Sequence, residues 1–176
     1  ACGRERLYEL SRVEHPLSVM VVGGGVGGME AARVAALRGH DVVLYEKGEA
    51  LGGHLIEASV PGFKKDLGTL LNWYKRQLET LGVVIKLTTK VSPSLVAGEK
   101  PDAVVVATGS SPVIPDIPGI ENLRMATCIE LMLGRKKTGK EIAVIGGGMV
   151  GCETALWLAQ NDKRVTVIEM LPELMA

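Results

Sequence analysis

The 176-residue chain has little with which to build a metal or disulfide framework: its three cysteines, Cys2, Cys128 and Cys152, stand far apart, and no C-x-x-C spacing occurs. Neither a stapled fold nor a complete zinc or iron–sulfur site is encoded, and a reducing compartment, the cytoplasm, fits this usage. An excess of one charge is also missing. Twenty Lys plus Arg balance twenty Asp plus Glu, which leaves no overall basic field to hold a nucleic acid. One Phe, three Tyr and two Trp are too few for an aromatic-rich binding surface. No apolar run approaches ~18 residues and no signal-peptide pattern opens the chain, so neither a membrane span nor a membrane partner is expected. The chain begins with Ala1 rather than Met and stops at Ala176, as a processed chain or an excised fragment does.

Apolar residues at 47% and charged residues at 23% are the proportions of a globular protein, which sets aside disorder. What the chain has in excess is glycine, 22 residues, about an eighth of the total against a usual ~7%. Their placement is periodic. Shifting the sequence by 123 positions lays residues 17–51 on residues 140–174, and the matches fall on Gly23, Gly24, Gly25, Gly28, Glu46 and Leu51 against Gly146, Gly147, Gly148, Gly151, Glu169 and Leu174. One supersecondary unit is present twice.

Each copy starts with a short β-branched run, Ser18–Val22 or Glu141–Ile145, bounded by glycine and too short for a helix. Ala-rich segments at 29–38 and 152–160 predict helices, and Asp41–Tyr45 and Arg164–Ile168 predict second strands, each ending in a carboxylate, Glu46 or Glu169. Between the copies, the apolar spacing over 66–81 predicts a helix, 83–91 a third strand and 102–108 a fourth. Pro112, Pro115 and Pro118 keep 111–119 irregular, and 127–133 predicts a short helix. Alternating strands and helices imply an α/β fold, a Rossmann-like doubly wound parallel sheet with the start of a second dinucleotide-binding unit.

A lone G-x-G-x-x-G carries little weight, but here Gly23, Gly25 and Gly28 follow a strand and open a helix. The first permits the tight turn, the second lets a diphosphate approach the backbone, and the third lets helix and strand pack closely. The free N–H groups at the helix start face the phosphates. Glu46, at the end of the second strand, is placed to accept from an adenosine ribose, and Gly146, Gly148, Gly151 and Glu169 repeat the pattern. Two units suggest two dinucleotides, a flavin and a nicotinamide. With Met170 and no Arg or Lys after Glu169, the second unit is expected to take NAD(H) rather than its 2′-phosphate.

Leu51-Gly52-Gly53-His54-Leu55, the run at 107–112 and Ile117-Pro118-Gly119 resemble the flavin-domain motifs of two-dinucleotide flavoprotein oxidoreductases. Ala1-Cys2-Gly3-Arg4-Glu5, Pro61-Gly62-Phe63 and the helix through Trp73 and Tyr74 resemble the C-terminal dinucleotide-binding region of the 2,4-dienoyl-CoA reductase, 2-enoate reductase and trimethylamine dehydrogenase family. The resemblance implies an upstream barrel domain with FMN and a 4Fe-4S cluster. It implies residues 1–16 as the link from that domain and 17–125 as an incomplete FAD- or ADP-binding domain. A crossover at 126–139 would follow, and 140–176 would be the first βαβ of a truncated NAD-binding domain. It also implies that Gly23, Gly25, Val26, Gly27, Gly28, Glu46, Gly53, His54, Val91, Ala107, Thr108 and Gly109 line the FAD site. The NAD site would use Gly146, Gly148, Met149, Val150, Gly151 and Glu169. His54 stands where relatives often have Gln.

The function so implied is electron entry, from NADH through FAD toward an Fe–S and FMN centre that reduces an enoate or dienoyl-CoA C=C bond. No residue of this chain need be a general acid or base, and the chain alone is expected to be inactive. Two other readings stay open: a disulfide-type reductase, against which the missing C-x-x-C and the His54-Leu55 pair argue, and a module that holds ADP or FAD without turnover. Glu30 and Glu153 are expected to complement helix dipoles, Cys152 to pack, and Lys136 to be a solvated charge. Apolar surface on 140–176 is expected to favour a homo-oligomer.

Overall fold

The computed structural model describes Gly3, residues 9–121 and residues 124–175. Cys2, the rest of the 1–5 motif apart from Gly3, and Ala176 lie outside the described residues. The chain divides into two compact units, Ala1–Ser59 with Lys64–Ser110, and Val60–Phe63 with Ser111–Ala176.

In the first unit β1 (Ser18–Val22), β2 (Asp41–Tyr45), β3 (Val84–Lys86) and β4 (Ala103–Val106) form one sheet in the order β3-β2-β1-β4. All three pairings are parallel, with Val21 opposite Leu44 and Val105. The helices are α1 (Val26–Leu37), α2 (Leu55–Ala58), α3 (Asp66–Thr80) and α4 (Pro93–Glu99). Val19 and Val21, Val42 and Leu44, Met29 and Ala32 of α1, and Leu71 and Leu78 of α3 make one buried cluster. Each Val, Leu or Met side chain among them, fully buried, contributes about 1.5–3 kcal/mol. That is why α3 shows a clear apolar stripe and why α1 uses small Ala32, Ala35 and Ala36 against the sheet.

The second unit holds α5 (Cys128–Met132), β5 (Glu141–Ile145), α6 (Met149–Gln160) and β6 (Arg164–Ile168), with β5 and β6 parallel. Thr127 caps α5 in a reciprocal pair with Glu130. Thr154, Ala155 and Leu158 of α6 are buried, while Ile145, Met149, Val150, Ile168, Leu171 and Leu174 are exposed.

Four of the six strands keep the limits expected of them; the other two strands and the expected helices do not. Helices α1 and α6 begin three residues early, so Gly27 and Gly28 lie inside the first turn of α1, and Glu30 and Glu153 fall beyond the first turn. Glu30 instead makes a two-point ion pair with Arg33, at 2.7 and 2.8 Å, and Arg33 lies over the Trp73 ring. The third strand stops at Lys86 rather than Val91 because Thr88 takes φ +51 and its N–H turns to the Gly48 carbonyl. The fourth is trimmed to Ala103–Val106. The connection before it contains α4, which begins with Pro93 behind a Ser92 cap. Lys136 is not a free surface charge: it donates to the Met125 carbonyl at 2.8 Å.

Asp102 pins the start of β4 to the start of β1, accepting from the Ser18 N–H at 2.8 Å and its hydroxyl at 2.9 Å. The Ser18 N–H, and then its hydroxyl, hold the Asp102 carboxyl below the usual aspartate range. A carboxyl lowered in the fold stabilises above its unfolded pKa and loses that contribution as pH falls through its folded one. Asp102→Asn is therefore expected to weaken the acid dependence of stability below about pH 4, read as urea midpoints at descending pH.

Candidate dinucleotide-binding sites

The two glycine turns are the same structure built twice. Gly23 and Gly146 take φ +110 and +101, a region open to glycine at no steric cost. Their N–H groups donate to the carbonyls of Tyr45 and Ile168 at 2.8 and 2.9 Å. A Cβ on Gly28 would overlap the Gly23 carbonyl, and one on Gly151 the Gly146 carbonyl. The third glycine of each motif is thus required by the protein's own packing.

The middle glycine is different. Gly25 (φ −73, ψ −177) and Gly148 (φ −69, ψ −178) sit in extended backbone that any residue adopts. A Cβ on Gly25 would meet only Gly53 Cα, at 3.9 Å, and one on Gly148 would meet nothing within 4 Å. Nothing internal demands glycine there. The open space lies at the start of α1 and of α6, helices that have no side-chain cap, where backbone N–H groups and the helix dipole favour an anion. Val26 and Gly27, and Met149 and Val150, form those first turns. The residues fit a dinucleotide diphosphate in both units.

The acidic ends match as well. Glu46 accepts from Gly24 N–H at 2.6 Å and Gly48 N–H at 2.7 Å. Glu169 accepts from Gly147 at 2.5 Å, Met170 at 2.7 Å and Leu171 at 2.9 Å. The Leu171, Gly147 and Met170 N–H groups hold the Glu169 carboxyl below the usual range, so it is negative at neutral pH. Each carboxylate lies against its glycine turn with oxygen lone pairs left for a ribose hydroxyl.

Residues 52–54 lie on the first turn: Gly52 N–H donates to the Gly24 carbonyl at 2.8 Å, and a Cβ on Gly53 would come within 3.0 Å of Gly25 Cα. Ala107 lies on its other side, its N–H on the Val22 carbonyl at 2.8 Å and its own carbonyl where a Gly23 Cβ would go. Thr108 and Gly109, the latter at φ +72, follow it. His54 links the two segments. Val91 is half-buried before α4, two residues past Thr89, whose N–H is on the Glu46 carbonyl at 2.9 Å. In the second unit a cavity of about 570 Å³ takes in Gly146, Gly148, Met149, Val150 and Gly151.

Sequence reasoning missed Glu57, a buried acid beside His54, and the role of Leu51 and Leu174, whose side chains close against Gly24 and Gly147. The repeat marked both leucines, without saying what they do. Cys152, expected to pack, donates to the Gly147 carbonyl at 3.1 Å. Among the described residues Cys128 and Cys152 are free thiols, and no group of metal-binding side chains occurs.

The profile of the pyridine nucleotide-disulphide oxidoreductase family matches residues 17–176, both glycine turns included. The chain belongs to that family. It is 48% identical to cinnamate reductase of Clostridium sporogenes, over 97% of this chain and 25% of that protein. It is 41% identical to NADH oxidase of Thermoanaerobacter brockii, over 98% of this chain and 27% of that one. A solved 2-naphthoyl-CoA reductase superposes with a TM-score of 0.90 at 34% identity, over 96% of this chain and 26% of that one. These members bear out both the Rossmann-like fold and the resemblance to the dinucleotide-binding region of enoate-reducing flavoproteins. The chain spans about a quarter of the length of the curated relatives it matches, 25% and 27%. Among the described residues no helix is long and apolar enough to cross a membrane.

Proposed function

We propose that this chain is the dinucleotide-binding part of an NADH-dependent flavoprotein oxidoreductase. In that enzyme electrons pass from NADH through FAD toward an Fe–S and FMN centre in a barrel domain, for reduction of an enoate or dienoyl-CoA C=C bond. The observation that carries this is the pair of open middle glycines, Gly25 and Gly148, in two otherwise closely packed turns. The similarity to a cinnamate reductase and an NADH oxidase supplies the reaction class.

This chain's own part is to bind and orient. Gly23 to Gly28, Glu46, residues 52–54, Val91 and residues 107–109 hold FAD or its ADP portion. Gly146 to Gly151 and Glu169 hold NAD(H). Residues 17–125 are the FAD- or ADP-binding domain, 126–139 the crossover, and 140–176 the first βαβ of the NAD-binding domain. Residues 1–16 are the link to the barrel.

In the parent enzyme, anaerobic NADH should bleach the bound flavin's visible absorbance. NADPH should do so at least tenfold less efficiently, because Glu169 stays charged and repels a 2′-phosphate. Equal or better reduction by NADPH would contradict the role given to Glu169, and absence of flavin from the parent enzyme would contradict the reading as a whole.

A further inference from the structure

His54 stands at the head of α2 with each ring nitrogen on an acceptor. Nδ1 is 2.5 Å from Glu57 Oε1 and Nε2 is 3.1 Å from the Ser110 carbonyl oxygen. A neutral imidazole has one N–H and would leave its other nitrogen facing an acceptor lone pair; only the imidazolium donates to both. Glu57 is 8% exposed, so it forms a fixed base under a His54 side chain that is half exposed.

The place of this contact gives it a consequence. Residues 52–54 rest on Gly24 and Gly25, and residues 107–110 rest on Val22 and Gly23. Through His54 the two segments close a ring around the carboxyl end of β1. The strand order reverses between β1 and β4, and the crevice outside the carboxyl ends at such a reversal is where a ligand sits in an open α/β sheet.

We propose that His54 is a proton-controlled latch, held doubly protonated by the positioning residue Glu57, that ties residues 52–54 to residues 107–110 and makes dinucleotide retention by the first unit depend on pH. This rests on the reading of that unit as a dinucleotide site. The charged group facing His54 is Glu57, from α2. The segment after β4 offers the uncharged Ser110 carbonyl, and Glu46, at the end of β2, is turned onto Gly24 and Gly48. Glu57, and then the Ser110 carbonyl, raise the His54 pKa above the usual histidine value. The tie is therefore complete below the ordinary histidine range and is lost as pH rises through the higher folded value. The positive charge at the crevice, which favours an anionic ligand, goes with it.

The test is calorimetric binding of FAD and ADP-ribose between about pH 6 and about pH 9, which spans histidine titration. Both ligands are diphosphate diesters, which do not titrate there. Wild-type affinity should fall several-fold with rising pH. His54→Gln should bind with the weaker affinity at every pH, and Glu57→Gln should move the midpoint to lower pH. Ring-nitrogen NMR of the wild type, with His54→Gln for assignment, should show both His54 nitrogens protonated at neutral pH, a readout that needs no substituted protein to bind ligand. Binding that is flat across the range, or a single-tautomer neutral His54 at neutral pH, overturns the latch. If neither ligand binds at any pH, the dinucleotide reading fails instead, and the latch on retention falls with it.

Discussion

Gly25→Val should abolish measurable binding of FAD and ADP to the first unit, a loss of at least 100-fold, while the chain stays folded. The asymmetry follows from what surrounds this glycine. Its backbone is extended at φ −73, ψ −177, and the nearest atom a Cβ would meet is Gly53 Cα at 3.9 Å. A Cβ there clashes with nothing in the protein, and valine costs the helix start only about 1 kcal/mol in capping preference. Its methyl groups instead fill the space in front of the α1 N–H groups, which a diphosphate must reach to be bound. Gly148→Val should do the same to NADH binding in the parent enzyme, since a Cβ there would meet nothing within 4 Å. Calorimetry with FAD and ADP, beside a urea unfolding curve, checks both halves. Wild-type affinity in Gly25→Val would remove the first glycine turn from the site. A collapsed urea midpoint would show that the glycine serves the fold.

How far the sequence disclosed this arrangement depends on whether a residue's role is local. Ser18–Val22, Asp41–Tyr45, Glu141–Ile145 and Arg164–Ile168 were legible to the residue because each is a short apolar run ending where the backbone must turn, at glycine or a carboxylate. The helix starts were not. Gly27 and Gly28 are poor helix formers, and they are helical because the turn that precedes them fixes the first backbone bonds, Met29 N–H to Gly25 carbonyl at 2.9 Å. The overrun of β3 has the same kind of cause. Residues 87–91 have strand-like composition, yet the N–H groups of Thr88 and Thr89 are taken by Gly48 and Glu46 from the neighbouring loop.

For the site, the repeat was the strongest signal, since the duplicated residues turn out to make duplicated bonds: Gly52 N–H to Gly24 carbonyl and Met175 N–H to Gly147 carbonyl are both 2.8 Å. Glu57 had no such signal. It occurs once, in a four-residue helix, and its significance lies entirely in the His54 ring beside it.

Gly28→Val is expected to have the largest effect on the fold itself. A Cβ at this position would overlap the Gly23 carbonyl oxygen and carbon and would lie 3.5 Å from the Ala107 side chain. Two of those atoms are backbone, so no side-chain rotation relieves the overlap. Relief requires α1 to lift away from β1, and α1 carries Met29 and Ala32, both fully buried in the cluster with Val19, Val21 and Leu44. Overpacking of this kind costs typically 1–3 kcal/mol where side chains can adjust; against backbone, a loss on the order of 3 kcal/mol or more is expected, a large fraction of a small unit's stability. Gly151→Val meets the same geometry at the Gly146 carbonyl, and its damage should fall on the second unit. Urea unfolding followed by far-UV circular dichroism should therefore show Gly28→Val far below Gly25→Val in midpoint, although the two glycines are only three residues apart in the sequence. Equal midpoints for the two variants would mean that α1 can move off the sheet at little cost, and that the close packing of α1 on β1 is not what demands glycine at position 28.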